Sequence, residues 1–424
     1  MIPLSFAQQR LWFLYRLNGP SATYNVPTVL RLRGRIDELA LRAALADVVG
    51  RHESLRTIFS DTGEAPEQLI LLPEVARPVL HIQQVSEKTF DRALADAAGH
   101  CFELDREIPL RISLFHFDEE QHVLLLLCHH IASDGWSWAP LARDLAAAYD
   151  ARCQDKAPSW APLPVQYADY TLWQRQLLGS ESDPDSAVAK GLRYWQQALA
   201  NLPEQLCLPT DRPRPVVSTY RGESLDFRLD EALHEGLTAR AREGHASLFM
   251  VLQAALSALF TRLGAGTDIP LGSPIAGRND EALNDLVGFF TNTLVLRTDT
   301  SGNPSFNDLL ARVRAANLAA YAHQDLPFER LVEVLNPTRS MACHPLFQVM
   351  LVLQSNARAR FELQGLTVLS AESIQTDAAI FDLSFDLREH RSDDGRPQGI
   401  TGRIEYATDL FDRATVELLT ARLQ

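Results

Sequence analysis

The chain has 424 residues, a formal net charge of −14 and 46% hydrophobic residues. Because one hydrophobic core stops growing at roughly 250–300 residues, we expect at least two core-forming units. The composition excludes a largely disordered chain, and the acidic charge argues against a nucleic acid or an anionic membrane as the main partner.

The first half of the chain predicts a strand, a helix and a hairpin. Val29–Arg33 alternates apolar and basic residues as a half-buried strand does, and Asp37 can cap the helix that follows. The alternation over Leu110–Leu114 and the continuous apolar run Val123–Cys128 predict a hairpin whose second strand is buried on both faces. A loop and then a helical pattern through Leu141–Tyr149 follow.

The composition changes between Leu178 and Val217, where polar residues and a cluster of prolines predict a linker. A second α/β pattern follows. It predicts strands at Ser224–Leu229, Ile269–Ile275, Val287–Arg297, Phe347–Leu353, Phe381–Leu387 and Ile400–Tyr406, and helices at Ser247–Leu263, at Phe306–Ala322 and from Arg413. We therefore predict an N-terminal lobe over 1–175 and a C-terminal lobe over 176–424.

Neither the cysteines nor the apolar runs indicate a secreted or membrane-bound protein. The five cysteines are odd in number and scattered, which predicts neither a disulfide framework nor a zinc site. The run Val123–Cys128 is far too short to cross a bilayer, and no secretory signal opens the chain. We expect a cytoplasmic location.

The loop His129–Gly135, of sequence His-His-Ile-Ala-Ser-Asp-Gly, is where we expect chemistry. An imidazole with an ordinary pKa near ~6.5 can accept a proton or orient a nucleophile. Since neighbouring strand residues point to opposite faces, only one of His129 and His130 can face a given cavity. Asp134 can fix the loop or pair with a basic residue, and Gly135 permits a tight turn beside a ligand.

Other interpretations of the same residues stay open. The two histidines can be hydrogen-bonded core groups at a strand end. They can also be metal ligands, although no other His, Cys or Glu spacing completes a set. Ser133 and Ser137 lack the Gly-x-Ser-x-Gly elbow of a nucleophilic serine, and the apolar setting of Cys128 predicts an inert buried thiol.

Seven stretches, in order along the chain, resemble the motifs of the condensation domains of non-ribosomal peptide synthetases. They are Ser5–Trp12, Arg51–Thr57, His129–Ser137, Tyr167–Trp173, Val287–Thr293, His323–Glu329, and Arg339-Ser340 with His344–Phe347. Each stretch alone is a weak signal, but all of them in order form a specific one. The chain departs from the family around Met341–Cys343, where a serine and an arginine are frequent, and at Thr291, where valine is usual. It also ends somewhat early for a whole domain, as a piece of a larger synthetase would.

The resemblance implies an α/β fold of two chloramphenicol acetyltransferase-like lobes, arranged as a V-shaped pseudo-dimer around a central tunnel. It implies an amide-forming acyltransferase that joins a donor acyl or peptidyl thioester to an acceptor aminoacyl thioester. An upstream donor carrier protein and a downstream acceptor carrier protein would supply both on phosphopantetheine arms. No permanently bound cofactor or metal is expected, and an adenylation domain of the same synthetase is the expected neighbour.

The resemblance also assigns roles to named residues. His130 corresponds to the catalytic histidine, as a general base or as a positioning group, and Gly135 would place an N–H near the developing oxyanion. His129 would be structural, and Asp134 would pair with Arg278 of the second lobe. The residues expected along the tunnel, near the substrate or the phosphopantetheine arms, are Trp136, Ser137, Asn292 and Thr293. Asn292 and Thr293 would lie in a floor loop.

Related activities on the same fold are the alternatives. Epimerisation domains share the His-His pair and the aspartate, and a non-catalytic recruitment platform can use the same fold. The stretches Ser5–Trp12 and Arg51–Thr57, together with Gly135, favour condensation, whereas heterocyclisation domains carry aspartates in place of the His-His pair. The stretch Gly19–Asn25 resembles subtypes whose donor ends in a D-residue, and Ile374–Leu387 is expected to form part of a latch.

Overall fold

The structure of the chain is a computed structural model that describes residues 2–61, 65–337, 340–354, 359–373 and 378–424. Two features predicted from the sequence lie partly outside these ranges. Arg339 of the last motif and residues 374–377, where the expected latch begins, lie outside the described residues.

The secondary structure is mixed α and β. The helices of the described residues are α1 (Phe6–Asn18), α2 (Glu38–Arg51), α3 (Glu87–Ala98), α4 (Trp138–Arg152), α5 (Tyr167–Leu178), α6 (Ala187–Ala198), α7 (Glu231–Glu243), α8 (Leu248–Arg262), α9 (Phe306–Tyr321), α10 (Phe328–Leu335) and α11 (Arg413–Leu423). The strands are β1 (Ile2–Pro3), β2 (Asn25–Arg33), β3 (Thr57–Ser60), β4 (Glu67–Ile70), β5 (Leu80–Gln84), β6 (Leu110–His116), β7 (Gln121–His129), β8 (Gly222–Leu229), β9 (Asp268–Ile275), β10 (Asn292–Asp299), β11 (Val349–Gln354), β12 (Thr367–Ser373), β13 (Leu383–Arg391) and β14 (Pro397–Ala407).

These elements form two compact units. Unit 1 holds the described parts of 1–177, 276–291 and 356–376, and unit 2 holds those of 178–275, 292–355 and 377–424. The units are therefore interleaved along the chain, whereas the predicted lobes are continuous. The assignment of 1–175 and 176–424 as functional lobes stays a prediction.

Unit 1 is built on a five-stranded sheet in the order β12-β2-β7-β6-β5, with a small sheet β1-β4-β3. Strand β7 is buried on both faces, as predicted. Its Leu124 and Leu126 pack with Leu41 of α2 and Leu145 of α4, while the alternate side chains join the cluster that holds Trp12 of α1. A strand buried on both faces fixes its register strongly, because a one-residue slip exchanges every side chain between the two cores. Its end is therefore a firm base for the loop that follows.

Unit 2 is built on a six-stranded sheet in the order β10-β9-β11-β13-β14-β8. Helix α8 begins after Ser247, whose side chain accepts a hydrogen bond from the Met250 N–H at 3.2 Å. Its Phe260 is fully buried and packs edge-on against Phe385 of β13, with 6.2 Å between ring centroids. The core of unit 2 thus lies between this helix and the centre of the sheet.

Among the described residues, no single helix has the length and apolar character needed to cross a membrane. The pair α7 and α8, bent by 104°, meets the criteria of length and composition only when both helices are taken together. Buried core helices meet the same criteria, and most residues of α8 are buried.

The structure confirms most of the predicted elements, with ends that differ by a few residues. The confirmed elements are β2, β6, β7, β8, β9, β11, β13, β14, α2, α4, α8, α9 and α11. The strand predicted over Val287–Arg297 was wrong at its start, because β10 begins only at Asn292. The Phe289 carbonyl and the Phe290 N–H bind side chains of unit 1 instead of a neighbouring strand. Elements without a predicted counterpart are α1, α3, α5, α6, α7, α10, β1, β3, β4, β5 and β12.

Gly272 of β9 is expected to tolerate no side chain. A Cβ there would lie 2.1 Å from the Phe347 ring, which is fully buried. We expect Gly272→Ala to lower the free energy of unfolding by about 1–3 kcal/mol, the usual cost of overpacking a core. Gly236, in helix α7 with open space around it, is the matched control. Gly236→Ala should stabilise the chain by about 0.5–1 kcal/mol, and equal effects of the two changes in urea unfolding would contradict this account.

Glu405 of β14 predicts a dependence of stability on pH. Burial, and then the nearby charge of Asp386, raise its pKa from 4.5 to about 7, while Arg403 acts in the opposite direction. Because the pKa is higher in the folded chain, folding favours the protonated form, and the stabilisation is lost as pH rises through about 7. We expect Glu405→Gln to raise the free energy of unfolding by about 1–3 kcal/mol at about pH 8, and much less at about pH 4. Urea unfolding of this variant and of Glu417→Gln, an exposed control on α11, checks it: an equal pH profile in both would contradict the assignment.

Candidate active site

The predicted loop begins where strand β7 ends. The backbone of His129 pairs with Asn25 of β2, and its N–H donates to the Pro109 carbonyl at 3.0 Å. The His130 N–H donates to the Tyr24 carbonyl at 2.8 Å, and a 3₁₀ turn over His130–Ala132 leads away from the sheet. Backbone hydrogen bonds from β2 and from the entry to β6 therefore hold both histidines.

His129 faces the core of unit 1. It is 5% exposed, and its Nδ1 accepts a hydrogen bond from the Ile131 N–H at 3.2 Å. The proton of the neutral ring is therefore on Nε2. Burial, and then the nearby His130, lower its pKa to about 3, so the ring stays neutral near neutral pH. The Phe102 ring packs edge-on against His129, with 5.9 Å between ring centroids. These surroundings are typical of a structural residue.

His130 lies half-buried at the start of the turn and packs edge-on against Phe289, with 4.7 Å between ring centroids. Burial lowers its pKa, and the charge of Asp134 and the carbonyls of His130 and Ser133 act in the opposite direction, while Arg10 lowers it further. Its Nδ1 is buried, and no described residue binds it with hydrogen-bond geometry. Burial therefore favours the neutral imidazole, and a neutral imidazole has a ring nitrogen that can accept a hydrogen bond.

Asp134 holds the loop together from a fully buried position. Its Oδ1 accepts hydrogen bonds from the Trp136 N–H at 3.1 Å, the Ser137 N–H at 3.0 Å and the Ser137 hydroxyl at 2.9 Å. Its Oδ2 accepts one from the Phe290 N–H at 3.0 Å. One carboxylate thus fixes both the turn into α4 and the segment before β10.

Arg278 is the cationic partner of Asp134 in this structure. Its Nη2 lies 3.3 Å from Asp134 Oδ1, and the two side chains are 4% and 0% exposed. Its Nη1 donates to the carbonyls of Leu283 and Leu286, and its guanidinium carbon lies 4.1 Å from the centre of the Phe290 ring. Arg278 belongs to the 276–291 segment of unit 1, so this ion pair lies within one unit.

The remaining loop residues differ in exposure. Gly135 is exposed, and Trp136 is half-buried. Ser137 is 1% exposed, and its hydroxyl accepts hydrogen bonds from the Gly288 N–H at 3.1 Å and from Arg278 at 3.2 Å. This burial favours a structural role for Ser137 over contact with a phosphopantetheine arm, a contact that stays a prediction.

The expectation that Asn292 and Thr293 lie in a loop was wrong, because they open strand β10 of unit 2 and pair with Ile275 and Pro274 of β9. The Asn292 amide donates to the carbonyls of Gln324 and Leu326, both at 2.8 Å, and accepts from the Phe328 N–H at 3.0 Å. Asn292 therefore braces the stretch between α9 and α10. The contact of Asn292 and Thr293 with a substrate tunnel stays a prediction.

Two residues of the site had no predicted role there. The Tyr167 hydroxyl donates to the Phe289 carbonyl at 2.6 Å, and the Phe289 ring covers His130. Their only sequence signal was membership of two of the seven motifs, because no local pattern indicates a contact across more than a hundred residues. Among the described residues, no group of three or more His, Cys, Asp or Glu side chains is placed to hold a metal ion.

Comparison with known proteins shows what the chain is similar to. The family model described as "Condensation domain" matches residues 1–424. The chain is 58% identical over 422 residues to the "Probable non-canonical nonribosomal peptide synthetase (NRPS) CymA" of Salinispora arenicola, and 55% identical over 423 residues to a "Dimodular nonribosomal peptide synthase" of Bacillus subtilis. Both alignments cover 100% of this chain but only 5% and 18% of those proteins. The chain therefore spans less than a fifth of the length of these relatives.

The fold also matches solved structures. The complex of the X-domain and OxyB from teicoplanin biosynthesis contains a chain with a TM-score of 0.92 and 38% identity. The match covers 100% of this chain and 91% of that one. Together with the family match and the two large sheets, it confirms the predicted chloramphenicol acetyltransferase-like α/β fold class.

Proposed function

Because the chain belongs to the condensation-domain family, we propose that it forms an amide bond between a donor acyl or peptidyl thioester and an acceptor aminoacyl thioester. Donor and acceptor carrier proteins present them on phosphopantetheine arms, and an adenylation domain of the same cytoplasmic synthetase is the neighbouring partner. One observation carries the proposal. The neutral imidazole of His130 stands on a loop that the buried Asp134–Arg278 pair holds in place.

In this reaction the acceptor amine attacks the thioester carbonyl, a C–N bond forms and the C–S bond breaks. The amine loses a proton and the thiolate of the donor arm gains one. His130 accepts a hydrogen bond from the amine and directs its lone pair at the carbonyl. Since burial lowers the pKa of His130, the folded chain favours the neutral ring, which accepts a hydrogen bond from the amine more readily than it keeps a proton. Orientation is therefore its main contribution.

Gly135 is the proposed donor to the oxygen that becomes negative during the attack. It is exposed on the loop between Asp134 and Trp136. A glycine lets a substrate approach the backbone closely, since there is no side chain in the way. A backbone N–H directed at the developing charge lowers the barrier more than it strengthens ground-state binding.

A donor that ends in a D-residue is the finer part of the proposal. The stretch Gly19–Asn25, which suggested this subtype, is hydrogen-bonded to the histidine pair. The Tyr24 carbonyl accepts from the His130 N–H, and Asn25 pairs with His129. A change in this stretch can therefore alter the backbone position of His130 directly.

A transfer assay with two loaded carrier proteins tests the function. Donors that end in an L- or a D-residue are offered with the same acceptor, and mass spectrometry identifies the products released from the acceptor arm. An amide product supports condensation, and a preference for the D-donor supports the subtype. A change of stereochemistry without an amide product would instead indicate epimerisation.

A recruitment platform is the second candidate, and one observation favours it. The X-domain that resembles this chain at 38% identity was solved in a complex with OxyB. A chain that forms no amide and changes no stereochemistry, yet binds a second protein of its biosynthetic system, would support this function over catalysis.

A further inference from the structure

A directed chain of hydrogen bonds runs from the N-terminus of helix α1 to the segment that covers His130. The Ser5 hydroxyl accepts from the Gln8 N–H at 3.1 Å and lies 2.8 Å from the Tyr167 hydroxyl. The Tyr167 hydroxyl lies 2.6 Å from the Phe289 carbonyl oxygen. Ser5 and Tyr167 are each 1% exposed and Phe289 is 3% exposed, so water has little access to these bonds.

The direction of the chain follows from the chemistry of its end. A carbonyl oxygen only accepts, so the single proton of the Tyr167 hydroxyl must point at Phe289. The Ser5 hydroxyl must then donate its own proton to the Tyr167 oxygen. Burial raises the pKa of Tyr167 well above its ordinary value, so the phenol keeps this proton at any pH where the protein works.

The Phe289 carbonyl lies between two groups that control the catalytic loop. The ring of the same residue packs edge-on against His130, at 4.7 Å between centroids. The next N–H along the chain, that of Phe290, donates to Asp134 Oδ2 at 3.0 Å. A rotation of the peptide between Phe289 and Phe290 would therefore disturb both the cover of His130 and the anchor of the loop.

Resting on the proposed function, we infer that Tyr167 is a positioning residue for His130. Its hydroxyl holds the Phe289 carbonyl and thereby keeps the Phe289 ring against the imidazole and the Phe290 N–H on Asp134. Tyr167 touches no reacting atom, because Phe289 lies between it and His130. Its loss should therefore reduce the rate of the chemical step more than the binding of substrates.

The surroundings of His130 give a second readout. The ring is covered by Phe289, and the charges that act on it are those of Asp134, Arg10 and, when protonated, His129. Burial is the main reason that its pKa is lowered. If the Phe289 ring loosens, water reaches the imidazole and its pKa should rise toward the ordinary value.

Tyr167→Phe tests the inference with minimal change of shape, and Tyr149→Phe is the matched control. Tyr149 is equally buried in unit 1, and its hydroxyl accepts from the N–H of Asp37, a residue outside the 276–291 segment, at 3.0 Å. In the transfer assay we expect Tyr167→Phe to lower kcat roughly ten- to a hundredfold with little change in KM. Tyr149→Phe should keep kcat at the wild-type value, and Ser5→Ala, which leaves the bond to Phe289 in place, should lie between the two.

An NMR titration of the His130 ring separates this inference from the proposed function, because it needs no turnover. His130→Gln assigns the resonance, and the pKa is measured in the wild-type chain, in Tyr167→Phe and in Tyr149→Phe. A His130 pKa that is higher in Tyr167→Phe but not in Tyr149→Phe supports the inference. It does so even if no amide product forms, and in that case only the proposed function fails. An unchanged pKa, or a loss of kcat that matches the loss of folded protein, would overturn it.

Discussion

Replacing His130 by alanine is expected to lower the rate of amide formation by roughly 10²–10⁴-fold, the usual contribution of a positioned imidazole. The imidazole is half-buried, and its surroundings keep it neutral. Alanine removes the hydrogen-bond acceptor for the amine but keeps the backbone bond to Tyr24, so we expect the chain to fold normally. Product formation from loaded carriers and the midpoint of urea unfolding are the two measurements.

The control for this prediction is another histidine of unit 1. His81 lies on β5 and is exposed, so His81→Ala changes the same residue type without touching the loop. It should leave both rate and stability at the wild-type values. Wild-type rates in His130→Ala would remove the imidazole from the mechanism, while an equal loss in both variants would point to a general effect on the preparation.

The sequence predicts the strand and loop that carry His130 because their signals are local. The apolar run Val123–Cys128 predicts β7, and the alternation before it predicts β6. The same locality explains the failures. Strand β12 pairs with β2 across more than three hundred residues, with Thr367 opposite Arg33, and no periodicity within either strand encodes that partner.

In the candidate site, too, local features are predicted from the sequence and long-range contacts are not. The loop motif names His130 and Asp134, but the contacts that surround them come from distant stretches. Val287–Thr293 has the apolar character of a strand, yet the Phe289 carbonyl is held by Tyr167 from a helix 122 residues earlier. A strand pattern describes how side chains alternate, and it gives no information on which backbone groups a buried hydroxyl will bind. Tyr167 therefore had no predicted role, although its motif was recognised.

Asp134→Ala should have the largest effect on stability, a loss of about 3–5 kcal/mol in the free energy of unfolding. Removing the carboxylate leaves the Arg278 guanidinium, 4% exposed, without its counter-charge. The change also removes the acceptor for the N–H groups of Trp136, Ser137 and Phe290. Loss of soluble protein, or a lower midpoint in urea unfolding, is the expected observation, and Asp134→Ala should not give a folded, merely inactive enzyme.

A surface ion pair of the same unit provides the control. Arg143 Nη1 lies 2.8 Å from Asp285 Oδ1, but the two side chains are 54% and 56% exposed. Because water and salt screen such a pair, Asp285→Ala should cost no more than about 1 kcal/mol. A loss of this small size in Asp134→Ala would mean that the buried pair contributes as little as the exposed one.

The double variant Asp134→Ala with Arg278→Met separates the charge from the hydrogen bonds. If the unpaired guanidinium causes most of the loss, removing it should restore part of the stability, because an apolar pair avoids the cost of an isolated buried charge. Both variants lack the Asp134 acceptor for the three backbone N–H groups. The part of the stability that the double variant does not recover therefore measures the contribution of these hydrogen bonds, together with that of the lost Arg278 bonds to Leu283 and Leu286. No recovery at all would mean that the unpaired charge contributes little and that the lost hydrogen bonds of Asp134 and Arg278 account for the change. In that case the loop would be held by the carboxylate acting as a cap, and the charge of Arg278 would serve the 276–291 segment to which it belongs.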